Sequence, residues 1–312
     1  MQHRPLPDPM LNILIPWGGV IGIDPLLTLA GSIGGPEANL LLLPVTAGHV
    51  DDGGTVHASS PDRQALATAW PRLEWLERSD SANAPKAIAA TAARRNADLI
   101  LMATACHPGG GIDSSCLAGQ LALDSPTPVL VFHVDGDGST AFSLPITRLL
   151  VSLDGSARAA QSLPVAASLA RRLRVSVMLV MVIDPARVLP PAYAYDPGAM
   201  EEMVARLRGE AHGALTQAER QLANDGVTVT SELLYGPVIA SIEGAVQPGD
   251  VLVITTHGLG SATQSQLGSV AARLVVDNPG PMVIMRGSQP APVVARGHGE
   301  RGPFESFSRP TA

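Results

Sequence analysis

The chain has 312 residues, 46% hydrophobic and only 3% aromatic, with 21 Lys and Arg against 28 Asp and Glu for a net charge of −7. That length favours two domains, and sizeable cores must come from Val, Leu, Ile and Ala. The acidic balance argues against a nucleic-acid partner, which needs an excess of basic residues along the phosphates.

No apolar run reaches the ~18 residues needed to cross a bilayer. Residues 1–9 lack the basic-then-apolar shape of a secretory signal. A soluble, cytoplasmic protein without a membrane partner is expected. Lys86 is the only lysine, so a phosphate site of the lysine-dependent P-loop type is not expected. Cys106 and Cys116 are the only cysteines, too few for a disulfide framework or a zinc site, and read as reduced thiols.

In chain order, apolar runs predict strands over residues 11–15, 39–45, 72–76, 98–103 and 128–132, with the second helix shortened to about 62–70. The polar, Gly-rich run Asp135-Gly136-Asp137-Gly138-Ser139-Thr140 reads as a linker. Beyond it, residues 148–153 form an apolar strand ending at Asp154-Gly155-Ser156. A helix follows with Leu163, Ala166, Leu169, Ala170 and Leu173 on one face, and Pro164 should kink it or shift its start. Strand 175–183 leads to a Pro/Tyr-rich loop over 185–197. A long amphipathic helix then carries Met200, Val204, Leu207, Ala211, Leu215, Ala218 and Leu222 at spacings of three and four, and Asp225-Gly226 stops it. Strand 227–234 precedes Gly236-Pro237, which opens a helix carrying Ile239, Ile242 and Val246; strands 251–254 and 281–285 complete the pattern.

Strands that alternate with helices and are apolar throughout imply a parallel sheet covered on both faces. Two phrases recur: residues 97–102 parallel 249–254, and 124–131 parallel 277–284, at offsets of 152 and 153 positions. An internal duplication follows. The expected organisation is a first domain over 8–134, a linker over 135–146, a second domain over 147–288 and a disordered tail over 289–312.

The most informative stretch is Thr255-Thr256-His257-Gly258, a nine-residue spacer, then Gly268-Ser269. It leaves strand 251–254 and enters a helix over 270–276. Glycines allow a ligand close to the backbone, and a helix opening at Gly268-Ser269 points free N–H groups and its positive dipole end outward. That arrangement suits a phosphate, yet it supplies no catalytic residue.

These residues carry a resemblance to the universal stress protein family. The similar stretches are 149–156, 180–184, Tyr235-Gly236-Pro237, the Thr-His-Gly and Gly-Ser-Val of 256–270, Asn278-Pro279 and Pro281-Met282-Val283. The whole chain resembles a tandem member with a degenerate first domain. The resemblance implies an α/β fold of two tandem open parallel five-stranded sheets flanked by helices, adenine nucleotide alpha-hydrolase-like, with strand order 3-2-1-4-5. It implies ATP in the second domain, with Mg²⁺ bridging the phosphates. Carried over by position, Asp154 contacts adenine or ribose with Ser152 beside it, and Val182 meets adenine through its backbone. Thr255, Gly258, Gly268, Ser269 and Val270 lie around ribose and phosphate. It also implies pairing of the fifth strands, 129–132 with 282–285, in an intramolecular pseudo-dimer, and is compatible with a further homodimer.

The family pattern usually has Gly at the position of Thr255 and a hydroxyl at that of Ala271. In the first half, Pro16-Trp17-Gly18-Gly19 stands where Asp154 would, and Trp17 is expected to fill the space of a base. Ala105-Cys106 and Cys116-Leu117 stand near the places of His257-Gly258 and Gly268-Ser269. The expected function is therefore a stress-response regulator that binds ATP in its second domain with little or no turnover. No residue of the inferred cradle is an evident base or arginine finger.

Two alternatives stay open: a nucleotide-free interaction scaffold, and an enzyme like the ATP pyrophosphatases using Gly109-Gly110-Gly111-Ile112-Asp113-Ser114-Ser115. Backbone amides and serine hydroxyls in that loop suit pyrophosphate, but it follows a late strand where that family has it after the first. His257 as a general base and Cys106 with Cys116 as a redox pair have simpler readings as loop residues. The carboxylate pairs Asp51-Asp52 and Glu201-Glu202 read as solvated faces.

Overall fold

Each apolar run becomes a strand, and each 3.6-periodic stretch becomes a helix that covers it. A computed structural model describes residues 11–18, 22–45, 62–79, 83–104, 117–134, 144–188, 197–256, 267–278 and 280–287. The first half comprises β1 (Asn12–Trp17), α1 (Asp24–Gly34), β2 (Asn39–Pro44), α2 (Arg63–Ala69), β3 (Leu73–Trp75), α3 (Ala84–Arg94), β4 (Leu99–Thr104), α4 (Leu117–Asp124) and β5 (Val129–His133). The second comprises β6 (Arg148–Leu153), a 3₁₀ turn (Ala159–Ser162), α5 (Leu163–Leu173), β7 (Ser176–Ile183), α6 (Pro185–Val188), α7 (Pro197–Asn224), β8 (Val229–Tyr235), α8 (Val238–Ala245), β9 (Asp250–Thr255), α9 (Ser269–Asp277) and β10 (Met282–Met285).

The strands form one ten-stranded sheet in the order β3-β2-β1-β4-β5-β10-β9-β6-β7-β8. Both halves thus have the expected 3-2-1-4-5 order, with parallel neighbours throughout each. They meet at their fifth strands, which pair antiparallel with Met282 opposite Val131, Val283 opposite Leu130 and Ile284 opposite Val129. His133 adds a second tie across the seam, its Nε2–H donating to the Val275 carbonyl at 2.8 Å. At Gly119 an added Cβ would come within 2.9 Å of Leu267 Cδ1, so the missing side chain lets α4 approach the lead-in to α9.

Two cores lie on the two faces of this sheet, and each runs through both halves. One gathers α1, α5 and α7 over Ile13, Ile15, Leu149, Val151 and Val253. The other gathers α3, α4, α8 and α9 over Leu14, Leu41, Leu150, Val180 and Ile254. Successive strand residues point to opposite faces, so the continuous apolar runs serve both layers at once.

The halves differ most at their second helices. Asp62 caps α2 by accepting the N–H groups of Gln64 and Ala65 at 2.9 and 3.3 Å, yet none of that helix is buried. Its counterpart α7 runs for 28 residues and buries Leu207, Ala211, Leu215, Ala218 and Leu222, the expected stripe. Met200, at the start of that stripe, is exposed. Pro164 acts by delaying the helix: it sits in the first turn of α5, after the 3₁₀ turn, where a missing N–H costs nothing.

The repeated Asp98 and Asp250 explain one of the recurrent phrases. Each clamps the amino ends of strands 1 and 4 of its half. Asp98 accepts the Asn12 backbone N–H at 3.0 Å. Asp250, nearly fully buried, takes a two-pronged contact from Arg148, Nε to Oδ1 at 3.0 Å and a terminal nitrogen to Oδ2 at 2.6 Å. The same guanidinium donates to the Ala245 carbonyl at 3.2 Å, and Asp250 Oδ2 also accepts the Gln247 N–H at 2.8 Å. The hydrogen bond to Asp250 holds the Arg148 pKa above its ordinary value, against the opposing effect of burial. Gly249, at φ +88°, makes the turn into this clamp.

The second recurrent phrase is a turn. Ser125 Oγ accepts the Thr127 N–H at 3.0 Å, and Asn278 Nδ2 donates to the Gly280 carbonyl at 2.7 Å. Both side chains are buried and start a fifth strand. Removing one member of a buried ion pair strands the other. Arg148→Ala is expected to lower stability by about 3–5 kcal/mol, read as a shift in the urea midpoint at unchanged slope.

Candidate functional site

A doubly wound parallel sheet offers a ligand one natural opening, beyond the carboxyl ends of the strands where their order reverses. In the second half the reversal lies between β6 and β9. The helices that follow these strands leave to opposite faces, α5 into one core and α9 into the other. The β6–β9 ladder ends at Val151 opposite Val253. Yet β6 stays paired to β7 as far as Leu153 opposite Met181, and β9 to β10 as far as Met285 opposite Thr255. Over their last two residues β6 and β9 part.

Ser152 lies in the parted stretch of β6, half-buried, on the strand face that Leu150 shares with α8 and α9. Val182 of β7 packs on that same face, as does Val270 from the first turn of α9. Asp154 follows β6 directly. Its Oδ1 accepts the Ser156 N–H at 3.0 Å, and Ser156 Oγ accepts the Ala159 N–H at 3.1 Å. These bonds fold the turn at Gly155, whose φ of +80° suits a residue without a Cβ. The carboxylate is thereby held at the end of β6.

On the other side, Gly268 opens α9 at φ −57° and ψ 147°, with no side chain capping the helix. Its own N–H is committed, donating to the Thr256 carbonyl at 2.9 Å. Gly268 therefore contributes room and a turn, and the donors available to an anion are those of Ser269, Val270 and Ala271. These precede Ala272, the first residue to donate within the helix, at 2.9 Å to the Gly268 carbonyl. Ser269 is exposed, so its hydroxyl can reach a ligand.

Thr255 lies on the other face of its strand. Alternation along β9 gives it the face of Val253, in the core of α5 and α7, opposite to Ser152 and Val182. His257, Gly258 and all of the nine-residue spacer but Leu267 lie outside the described residues. So do Cys106, Cys116, the Gly109 to Ser115 loop and the tail beyond 287.

One residue absent from the expected set organises the site. Thr256 is fully buried. Its N–H donates to the Met285 carbonyl at 2.7 Å, its carbonyl takes the Gly268 N–H, and its Oγ1 accepts the Gly287 N–H at 3.3 Å. It therefore joins the ends of β9 and β10 to the start of α9. The only trace in the sequence is a hydroxyl directly after an apolar strand.

The first half parts in the same place. Its β1–β4 ladder holds two pairs, Ile13 with Leu99 and Leu14 with Ile100, while β1 stays paired to β2 as far as Trp17 opposite Pro44. The residue after β1 is Gly18, so no carboxylate stands there. Trp17 does not fill the crevice face as expected. Strand alternation turns it to the α1 side, where it packs against that core.

Among the described residues, no group of three or more His, Cys, Asp or Glu could hold a metal ion, and no helix is long and apolar enough to cross a membrane.

Residues 145–286 match the universal stress protein family. No curated protein matches the chain. Among solved structures, a functionally unknown protein from Pseudomonas aeruginosa PAO1 is 18% identical, covering 88% of this chain and 92% of its own at a TM-score of 0.54. A universal stress protein from Archaeoglobus fulgidus DSM 4304 is 13% identical, covering 89% and 97%, at a TM-score of 0.55. These likenesses show the fold across both halves. A universal stress protein solved in complex with cAMP is 20% identical and covers 46% of this chain and 98% of its own, at a TM-score of 0.32. Residues 145–286, the stretch that matches the universal stress protein family, are the part of the chain that holds the parting of β6 from β9.

Proposed function

We propose that the protein is a cytoplasmic stress-response regulator whose second half binds ATP with little or no turnover. In this reading the chain is a tandem of two domains and the first is degenerate, supplying an interface. What carries the reading is the parting of β6 from β9 beside an uncapped α9, with Asp154 held on one side and three helix-start amides on the other.

The two chemistries are complementary. A carboxylate accepts hydrogen bonds from ribose hydroxyls or an adenine amino group. Backbone amides at a positive helix end favour phosphate. Ser152 and Val182 share the crevice face and would flank the base, with Ser269 and Val270 at the phosphates. ATP supplies a charged group whose presence the rest of the chain can register, and Mg²⁺ would rest on its phosphate oxygens. Little turnover follows because none of the proposed side chains is a general base or an arginine positioned for in-line attack. Gly18 in place of an aspartate supports the assignment of the nucleotide to the second half alone.

Acid extraction of the purified chain should release bound adenine nucleotide. In calorimetry, Asp154→Ala and Gly268→Val should each weaken ATP at least ten-fold, while Asp113→Ala should leave it unchanged. An empty extract with no heat on ATP addition would favour the scaffold, and sensitivity to Asp113→Ala alone would favour the loop at 109–115. Thr256→Val keeps the shape but removes an acceptor from a buried site. We expect about 1–3 kcal/mol of lost stability by chemical denaturation, together with weaker ATP binding as the α9 start loosens.

A further inference from the structure

A second opening lies in the first half, at the amino ends of its strands. Beside the amino ends of β1, β2 and β3 lies a hollow of about 460 Å³. It is lined by three arginines, Arg72, Arg94 and Arg95, together with Glu74, Leu41, Asn12 and Asn39. Its volume suits a small metabolite. A cluster of cations is not the ordinary surface of a chain with a net charge of −7.

The charges around it are incompletely matched. Arg72 pairs with Glu37 at 2.7 Å and Arg95 pairs with Glu74. The two carboxylates are 59% and 52% exposed, so water competes for both pairs and each holds its arginine weakly. Arg94 has no carboxylate among the described residues. Its one contact there is a 3.4 Å bond to the Thr91 hydroxyl a turn earlier, at the weak end of the hydrogen-bond range.

Glu37 and Glu74 offset two of the three positive charges, and Arg94 is the one left for an added anion to match. Guanidinium forks match the paired oxygens of a phosphate. The amides add a polar wall: Asn39 Nδ2 donates to Asn12 Oδ1 at 2.8 Å, and Asn12 Nδ2 donates to the Asn96 carbonyl at 3.2 Å. That chain of donors leaves the Asn39 side-chain oxygen facing no donor among the described residues, ready for a ligand hydroxyl.

We propose that this hollow binds a small phosphate-bearing anion, with Arg94 as its principal fork and Arg72 and Arg95 beside it. It lies at the amino ends of first-half strands, on the same margin of the sheet as the β6–β9 crevice but with β4, β5 and β10 between them. It does not depend on the ATP reading.

The test is calorimetry on the full chain at low ionic strength, with inorganic phosphate and glycerol 3-phosphate as probes. One saturable site is expected for at least one probe. Arg94→Ala should weaken it ten-fold or more and Arg94→Lys by less, while Gly268→Val leaves it unchanged. Tighter binding of glycerol 3-phosphate identifies a phosphate ester as the ligand, and equal or tighter binding of inorganic phosphate identifies the free ion. Arg94 is exposed, so its substitution should leave the thermal midpoint in place; should Arg94→Ala fail to fold, Arg72→Gln gives the same readout. Absence of binding by both probes overturns the proposal, as does binding that survives the arginine substitutions or disappears with Gly268→Val.

Discussion

Everything in this molecule is arranged around the antiparallel contact of β5 with β10. Within each half the strands run parallel, and a parallel edge strand leaves a row of backbone groups unpaired. Here each half covers the other's edge. The pairing joins two five-stranded sheets into one and makes both cores continuous across the seam. It also fixes direction. Because the fifth strands oppose each other, the carboxyl ends of the first half point away from those of the second, and the two switch points open at opposite margins of the sheet.

At each switch point the sheet gives way by design of its connections. Strand 1 and strand 4 send their following helices to opposite faces, and their ladder stops early. At the amino end the opposite holds. Asp98 and Asp250 tie strands 1 and 4 firmly, and Arg148 neutralises the second of these carboxylates. A closed base and an open mouth thus belong to one pair of strands. In the second half the mouth carries Asp154 and the bare amides of α9; in the first it carries Gly18.

Much of this was legible in the sequence. The strands fall within one or two residues of the apolar runs, because strands buried on both faces need unbroken hydrophobic character. The shortened second helix and the 28-residue α7 were legible from periodicity and from Asp225-Gly226. The repeated Asp and the repeated Pro-flanked turn were visible as phrases, but their work was not. Asp250 looks like any surface aspartate until its partner, 102 positions away, is brought beside it. Trp17 was read from its bulk, and strand alternation sent it to the other face. The face of Thr255 was likewise set by strand alternation, and Thr256 next to it joins three elements.

The sequence by itself determined the alternation of strands and helices, the two recurrent phrases, the glycine and serine at the start of α9, and the resemblance to a family. Those are local or periodic properties, written in neighbouring residues. Only the tertiary structure decided which side of a strand each side chain takes at the crevice, that the Gly268 N–H is already engaged, and that three arginines from two distant segments border one hollow. Such facts depend on register and on contacts between residues far apart in the chain. No pattern along the chain encodes them until the sheet has closed.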